Sequence, residues 1–149
     1  MTTQEKIIQW AKDRKIIPNS STRIQCLKAV SEIGELADAL IKHDVEAIKD
    51  AAGDIMVCMY NAEELIVNSL CVDAICSVQG ILLEIRELTD VPYQGRRGDT
   101  HLLLTHIIEP YNLSIDECID SAYEVIKDRK GTLLANGVFV KDESQEELF

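Results

Sequence analysis

Ala51-Ala52-Gly53-Asp54-Ile55-Met56-Val57-Cys58-Met59-Tyr60-Asn61-Ala62, AAGDIMVCMYNA, is the stretch that decides the fold. Asp54 is its one charged residue, and apolar side chains cover most of a helical circumference. A helix that is apolar nearly all round belongs inside a bundle. The chain is therefore read as all-α, with other helices packed around this one. A carboxylate in such a helix costs several kcal/mol or more unless it is paired, protonated or bound to a cation. Asp50 lies one turn earlier, about 40° away, and Asn61 two turns later on the same face. Together they form a line of oxygen ligands.

The segment before it, from about Thr22 to Lys42, carries Glu32 and Glu35, three residues and about 60° apart on one helical face. Lys28 falls between them in angle, one turn earlier. The opposite arc, Cys26, Val30, Ile33, Ala37, Leu40 and Ile41, reads as a core stripe. Lys42-His43-Asp44 is a short turn, and Asp44 can cap a helix reaching about Val67. A connection this short favours antiparallel neighbours, which would bring four carboxylates, Glu32, Glu35, Asp50 and Asp54, together. Such an all-oxygen set suits Mg²⁺ or Mn²⁺ rather than zinc or copper. Gly34 and Gly53 each stand just before an acid. Mid-helix glycine costs about 1 kcal/mol against alanine, and close helix approach is a reason to keep it. No histidine sits three residues after a glutamate, which argues against a ferritin-like di-iron bundle. No EF-hand spacing occurs either.

Outward from this pair, a first helix is expected from about Thr3 to Lys15, broken by Pro18-Asn19-Ser20-Ser21. A fourth is expected from about Val72 to Leu88, then a polar loop over 89–99, then a weaker helix from about Thr100 to Glu109, ended by Pro110. Ser114-Ile115-Asp116-Glu117 fits a capping box that opens the last helix, which runs to Lys130-Gly131. Asn136-Gly137 within TLLANGVFV signals a β-hairpin. The whole, 1–149, reads as one domain, with the acidic motifs inside 5–64 and the last helix and hairpin over 114–141.

Composition narrows the function. The 149 residues hold 26 Asp+Glu against 15 Lys+Arg, a net charge of −11. That argues against a nucleic-acid polymer or an anionic membrane as partner, since both need a basic face. No apolar run is long enough to span a bilayer, and the start has no secretory pattern. Five cysteines without a CxxC read as reduced core thiols, so a cytoplasmic location is expected.

Lys28-x-x-x-Glu32-x-x-Glu35-Leu36 followed by Gly53-Asp54-Ile55 resembles the MazG-like branch of the all-α NTP pyrophosphatases. Trp10-Ala11 and Gln25 are similar to that family too, and Lys127-Asp128-Arg129-Lys130-Gly131 with NGVFVK resembles the end of its longer, phage-type members. The resemblance implies an antiparallel helical bundle that binds Mg²⁺, with Mn²⁺ as the alternative, and assembles as a homodimer or homotetramer. It implies hydrolysis of a nucleoside triphosphate between its α- and β-phosphates, giving a monophosphate and pyrophosphate, in a role such as nucleotide-pool sanitising. The metal set carried over is Glu32, Glu35, Asp50 and Asp54, with Glu32 or Glu35 orienting the attacking water. The family's second-motif glutamate would fall at Ala51, and Asp50 is the nearest substitute.

Cations for the phosphates are scarce in so acidic a chain. Lys28 is the first candidate, Arg96 and Arg97 are a candidate phosphate clamp, and Arg129 and Lys130 form a second basic cluster. A plain surface loop and a complemented helix C-terminus are the structural alternatives for these last two pairs. Trp10, the sole tryptophan, is either core or a stacking surface for a base. Asn61 can hydrogen-bond sugar or base, or join the metal shell. The competing reading, carried by Ala51, is a catalytically weak helical oligomer that binds nucleotide or a protein partner.

Overall fold

The structure is a computed structural model that describes residues 1–89 and 100–142. Helix α1 (Thr3–Asp13) opens with a capping box. The Thr2 hydroxyl accepts from the Glu5 N–H, and the Glu5 carboxylate accepts from the Thr2 N–H. It stops at Asp13, short of Lys15, because Lys15 adopts φ 62°. A single turn, α2 (Ile16–Asn19), leads to Ser21, whose side chain caps α3 (Thr22–Lys42). His43 at φ 52° and the capping side chain of Asp44 then reverse the chain into α4 (Val45–Glu64). The Thr22 hydroxyl donates to the Ala62 carbonyl at 2.9 Å, tying the start of α3 to the end of α4. The two helices therefore run antiparallel, and they form the most extensive helix pair of the fold.

Helix α4 is the central one. Ala52, Ile55 and Ala62 are fully buried, and Met59 nearly so. Helix α5 (Ser69–Leu88) packs on α3 and on α6 (Thr100–Ile108), and a 3₁₀ turn (Glu109–Tyr111) follows. Asn68 caps α5, so this helix begins earlier than the apolar pattern around Val72 suggests. The capping box of Ser114 and Glu117 opens α7 (Ile115–Ile126) as the sequence indicates. Helix α7 ends at Ile126, and residues 127–130 lead into a small antiparallel sheet. Strands β1 (Gly131–Leu133) and β2 (Phe139–Lys141) pair Gly131 with Lys141 and Leu133 with Phe139. The fold is mostly helical with this one small hairpin, and among the described residues no helix is long and apolar enough to cross a membrane.

Two features of α3 and α4 differ from the sequence reading. The buried seam of α3 centres on Ala29, Ile33 and Leu36, leaving Val30 37% and Ile41 77% exposed. Both lie roughly 100° round the helix from that centre, too far to reach α4. The glycines divide, Gly53 sitting at a close helix approach and Gly34 not. A Cβ on Gly53 would come 2.8 Å from the Ala122 Cβ and would strike the Cys118 carbonyl, so the close approach is to α7, not to α3. Gly34 has nothing within 4 Å of such a Cβ, so no packing requires it. The thiols also divide. Cys26, Cys58 and Cys118 are buried as expected, Cys71 is half-buried, and Cys76 is exposed.

The hairpin tip is fixed against the bundle. Gly137 has φ 86°, and a Cβ there would lie 3.1 Å from the Ser20 Cα. Gly137→Ala is therefore expected to cost about 1–2 kcal/mol, from left-handed strain plus this crowding. Urea denaturation measures it, and an unchanged midpoint would show that the tip carries no such constraint.

Candidate functional site

A cleft of about 530 Å³ opens between α3, α4, the end of α7 and the hairpin. Six of the candidate site residues named from the sequence line it: Trp10, Lys28, Glu32, Asp54, Asn61 and Arg129. Their convergence follows from the topology. The antiparallel turn at His43-Asp44 sets Glu32 of α3 beside Asp54 of α4. Close packing of α7 on Gly53 brings the segment after Ile126, and with it Arg129, to the same place.

The electrostatics of the carboxylates show how near they are. Burial first, then the negative charges of Asp54 and Glu35, push the Glu32 carboxyl up to about 7. The Lys28 charge opposes the rise. Asp54 rises to about 6, again chiefly through burial, against the pull of Arg129 and Lys28 and with the help of Asp50 and Glu35. Glu32 Oε2 is buried and has no hydrogen-bond partner. Glu35 is exposed because its Cα lies farther round α3 from the seam.

Asp50 is placed differently. It is exposed, and after burial its rise comes from Glu46 on its own helix, opposed by Lys49. It reaches Asp54 through charge but is not part of the cleft lining. Among the described residues, no three His, Cys, Asp or Glu side chains are gathered tightly enough to hold a metal ion. The donor chemistry nonetheless suits a hard cation: oxygen atoms only, mutually repelling, one of them buried and unpartnered. Ala51, where the resemblance expects a glutamate, is 3% exposed and packed in the core.

The remaining candidates separate. Arg129 is in the cleft, whereas Lys130 is exposed and outside its lining. Arg96 and Arg97 lie outside the described residues. Lys127 pairs with Glu124 at 2.6 Å on the α7 surface. The histidines contact Tyr111 (His43), Asp116 (His101) and Glu109 (His106), as surface residues do.

Trp10 is both core and cleft wall. It is 8% exposed, and its ring meets Phe139 edge-on at 5.8 Å between centroids. Its indole Nε1 and the Asn61 Oδ1 are buried without partners. With Glu32 Oε2, three such orphaned side-chain atoms thus lie on the walls of this one cleft. Buried polar atoms without partners are uncommon in native folds, and their concentration here suits a polar ligand. Sequence reasoning quoted Val138, Phe139, Val140 and Lys141 within NGVFVK but gave them no role, and the hairpin adds all four to the lining. The Asn136-Gly137 signal located the hairpin but says nothing about what it packs on.

No family model matches the chain, and no solved structure matches it. Over 55 residues it is 38% identical to a Haemophilus phage HP1 (strain HP1c1) protein called "Uncharacterized 18.2 kDa protein in rep-hol intergenic region". That match covers 37% of this chain and 34% of the phage protein, so the chain spans about a third of the relative's length. The relative's name states no activity. What the chain does must be read from the cleft.

Proposed function

We propose that the chain is a Mg²⁺-dependent nucleoside triphosphate pyrophosphohydrolase of MazG-like type. The observation that carries this reading is the cleft itself. Glu32 and Asp54, with Glu35 within charge range, face Lys28 and Arg129, and an aromatic wall lies in the same cavity. Carboxylates beside cations beside an aromatic surface suit a ligand with a polyphosphate at one end and a planar group at the other.

In this proposal Glu32, Glu35 and Asp54 would close on the cation when it binds, with Asp50 at the margin. Bound there, Mg²⁺ neutralises phosphate charge and makes a water more acidic. Lys28 and Arg129 take the remaining phosphate charge. Glu32 Oε2, buried and unpartnered, is the better placed of the two glutamates to receive the proton of the attacking water. Water adds to the α-phosphorus, the α–β bridging P–O bond breaks, and pyrophosphate leaves with the bridging oxygen.

A turnover screen tests this. Purified protein meets common and modified NTPs and dNTPs with Mg²⁺, Mn²⁺ or EDTA, and products are resolved by chromatography. Monophosphate plus pyrophosphate, abolished by EDTA, is the expected result. The buried Ala51 and the absence of a tight metal cluster among the described residues favour the second reading, a catalytically weak nucleotide-binding protein. Binding without turnover would select it. Val30 and Ile41, exposed on α3, suit a homodimer or homotetramer. Light scattering checks this, and a mass near 16.7 kDa would exclude it.

A further inference from the structure

The aromatic wall of the cleft is built with more care than packing alone requires. Two neighbours fix Phe139. A Cβ on Gly131 would come 2.7 Å from the Phe139 Cζ and would strike the Val140 carbonyl, so the ring lies across bare backbone of the neighbouring strand. Trp10 also stands against it, with the ring centroids 5.8 Å and the two ring planes 76° apart. The rings form a corner that lines the cleft.

The hairpin carrying Phe139 is clamped at both ends. Arg14 Nε donates to the Arg129 carbonyl at 2.8 Å, at the base of the hairpin. The tip rests on Ser20 through Gly137. The ring is therefore placed before any ligand arrives, which lowers the entropy cost of recognition.

We propose that Phe139 is the specificity-determining residue of the cleft, and that it selects ligands bearing a nucleobase over bare polyphosphate. This rests on reading the cleft as a nucleotide site. A bare polyphosphate offers the aromatic corner nothing. A saturated sugar has no flat face, and a hydrocarbon ring leaves both the Trp10 N–H and the Asn61 amide oxygen unpaired. A nitrogen heterocycle supplies the face together with a donor and an acceptor on its edge.

Calorimetric titration tests the proposal without requiring catalysis. The ligands are non-cleavable α,β-methylene nucleoside triphosphates and inorganic tripolyphosphate, each with Mg²⁺. Wild-type protein is expected to bind at least one nucleotide more tightly than tripolyphosphate. Phe139→Ala should weaken that nucleotide about tenfold, in line with base–aromatic stacking, and change tripolyphosphate less than twofold. Phe139→Leu keeps apolar bulk without a ring and should lose nearly as much. It decides the matter if the alanine variant unfolds. Unchanged nucleotide affinity in the leucine variant would overturn the proposal. So would equal wild-type affinity for nucleotide and tripolyphosphate, while leaving the carboxylate reading intact. Wild-type protein that binds neither ligand would remove both.

Discussion

Glu32→Gln and Asp54→Asn, made separately, are each expected to lower nucleotide turnover by about 10²–10³-fold, the size of effect that follows loss of a positioned charge at a reacting phosphate. Without metal, the same substitutions should stabilise the fold at neutral pH. Burial first, then neighbouring carboxylates, raise Glu32 from 4.5 to about 7 and Asp54 from 3.8 to about 6. Between those values the folded state binds more protons than the unfolded state, so stability falls as pH rises. The pair's stabilising contribution is fully present below about pH 4 and is lost by about pH 7. Thermal melts in EDTA across pH 4–8 should therefore decline for the wild type and decline less for Glu32→Gln. At pH 8 the variant should be more stable by about 1 kcal/mol after allowing for solvent screening. Mg²⁺ should reverse the order by stabilising the wild type alone. A flat pH dependence, or full turnover in both variants, would show that these carboxylates do not form the site.

Much of the frame was legible because its signals are local. Asp44 and Ser114 are caps, and each begins the helix it should. Asn136-Gly137 marks a hairpin turn, and a hairpin is there. The apolar circumference of AAGDIMVCMYNA marks the central helix. What the sequence did not reveal is which surfaces meet. Helical spacing put Val30 and Ile41 on the core arc, but the width of the buried seam depends on how α4 and α5 lie against α3. The same limit applies to the site. Glu32 and Asp54 could be joined from helix phase and a short turn. Phe139 lies 85 residues after Asp54 in sequence and reaches the cleft only because the hairpin folds back on Trp10 and Ser20. Helical phase puts Asp50 within charge range of Asp54, but it does not reveal that Glu46 and Lys49 are the charges that act on Asp50 most.

The two glycines that precede acids should respond in opposite senses. Gly53→Val is expected to destabilise the protein by about 3 kcal/mol or more, read by urea or thermal unfolding. The added side chain has no free direction, because the atoms it meets are the Cys118 carbonyl and the Ala122 Cβ of a packed helix. Overpacking of a dense core commonly costs about 1–3 kcal/mol, and a β-branched side chain adds a rotamer restriction in a helix. Gly53→Ala should fall between, since alanine's helix propensity returns about 1 kcal/mol. Gly34→Ala meets nothing within 4 Å and should stabilise by up to about 1 kcal/mol on propensity alone. The Gly53 variants that still fold carry a second consequence. Displacing α7 moves the segment that begins at Lys127, and so withdraws Arg129, the largest opposing charge on Asp54. Turnover should then fall with metal present even where the remaining protein is folded, whereas Gly34→Ala should leave turnover unchanged. Equal stability effects at the two glycines would mean that α7 does not press on Gly53, and the placement of Arg129 beside Asp54 would lose its structural cause.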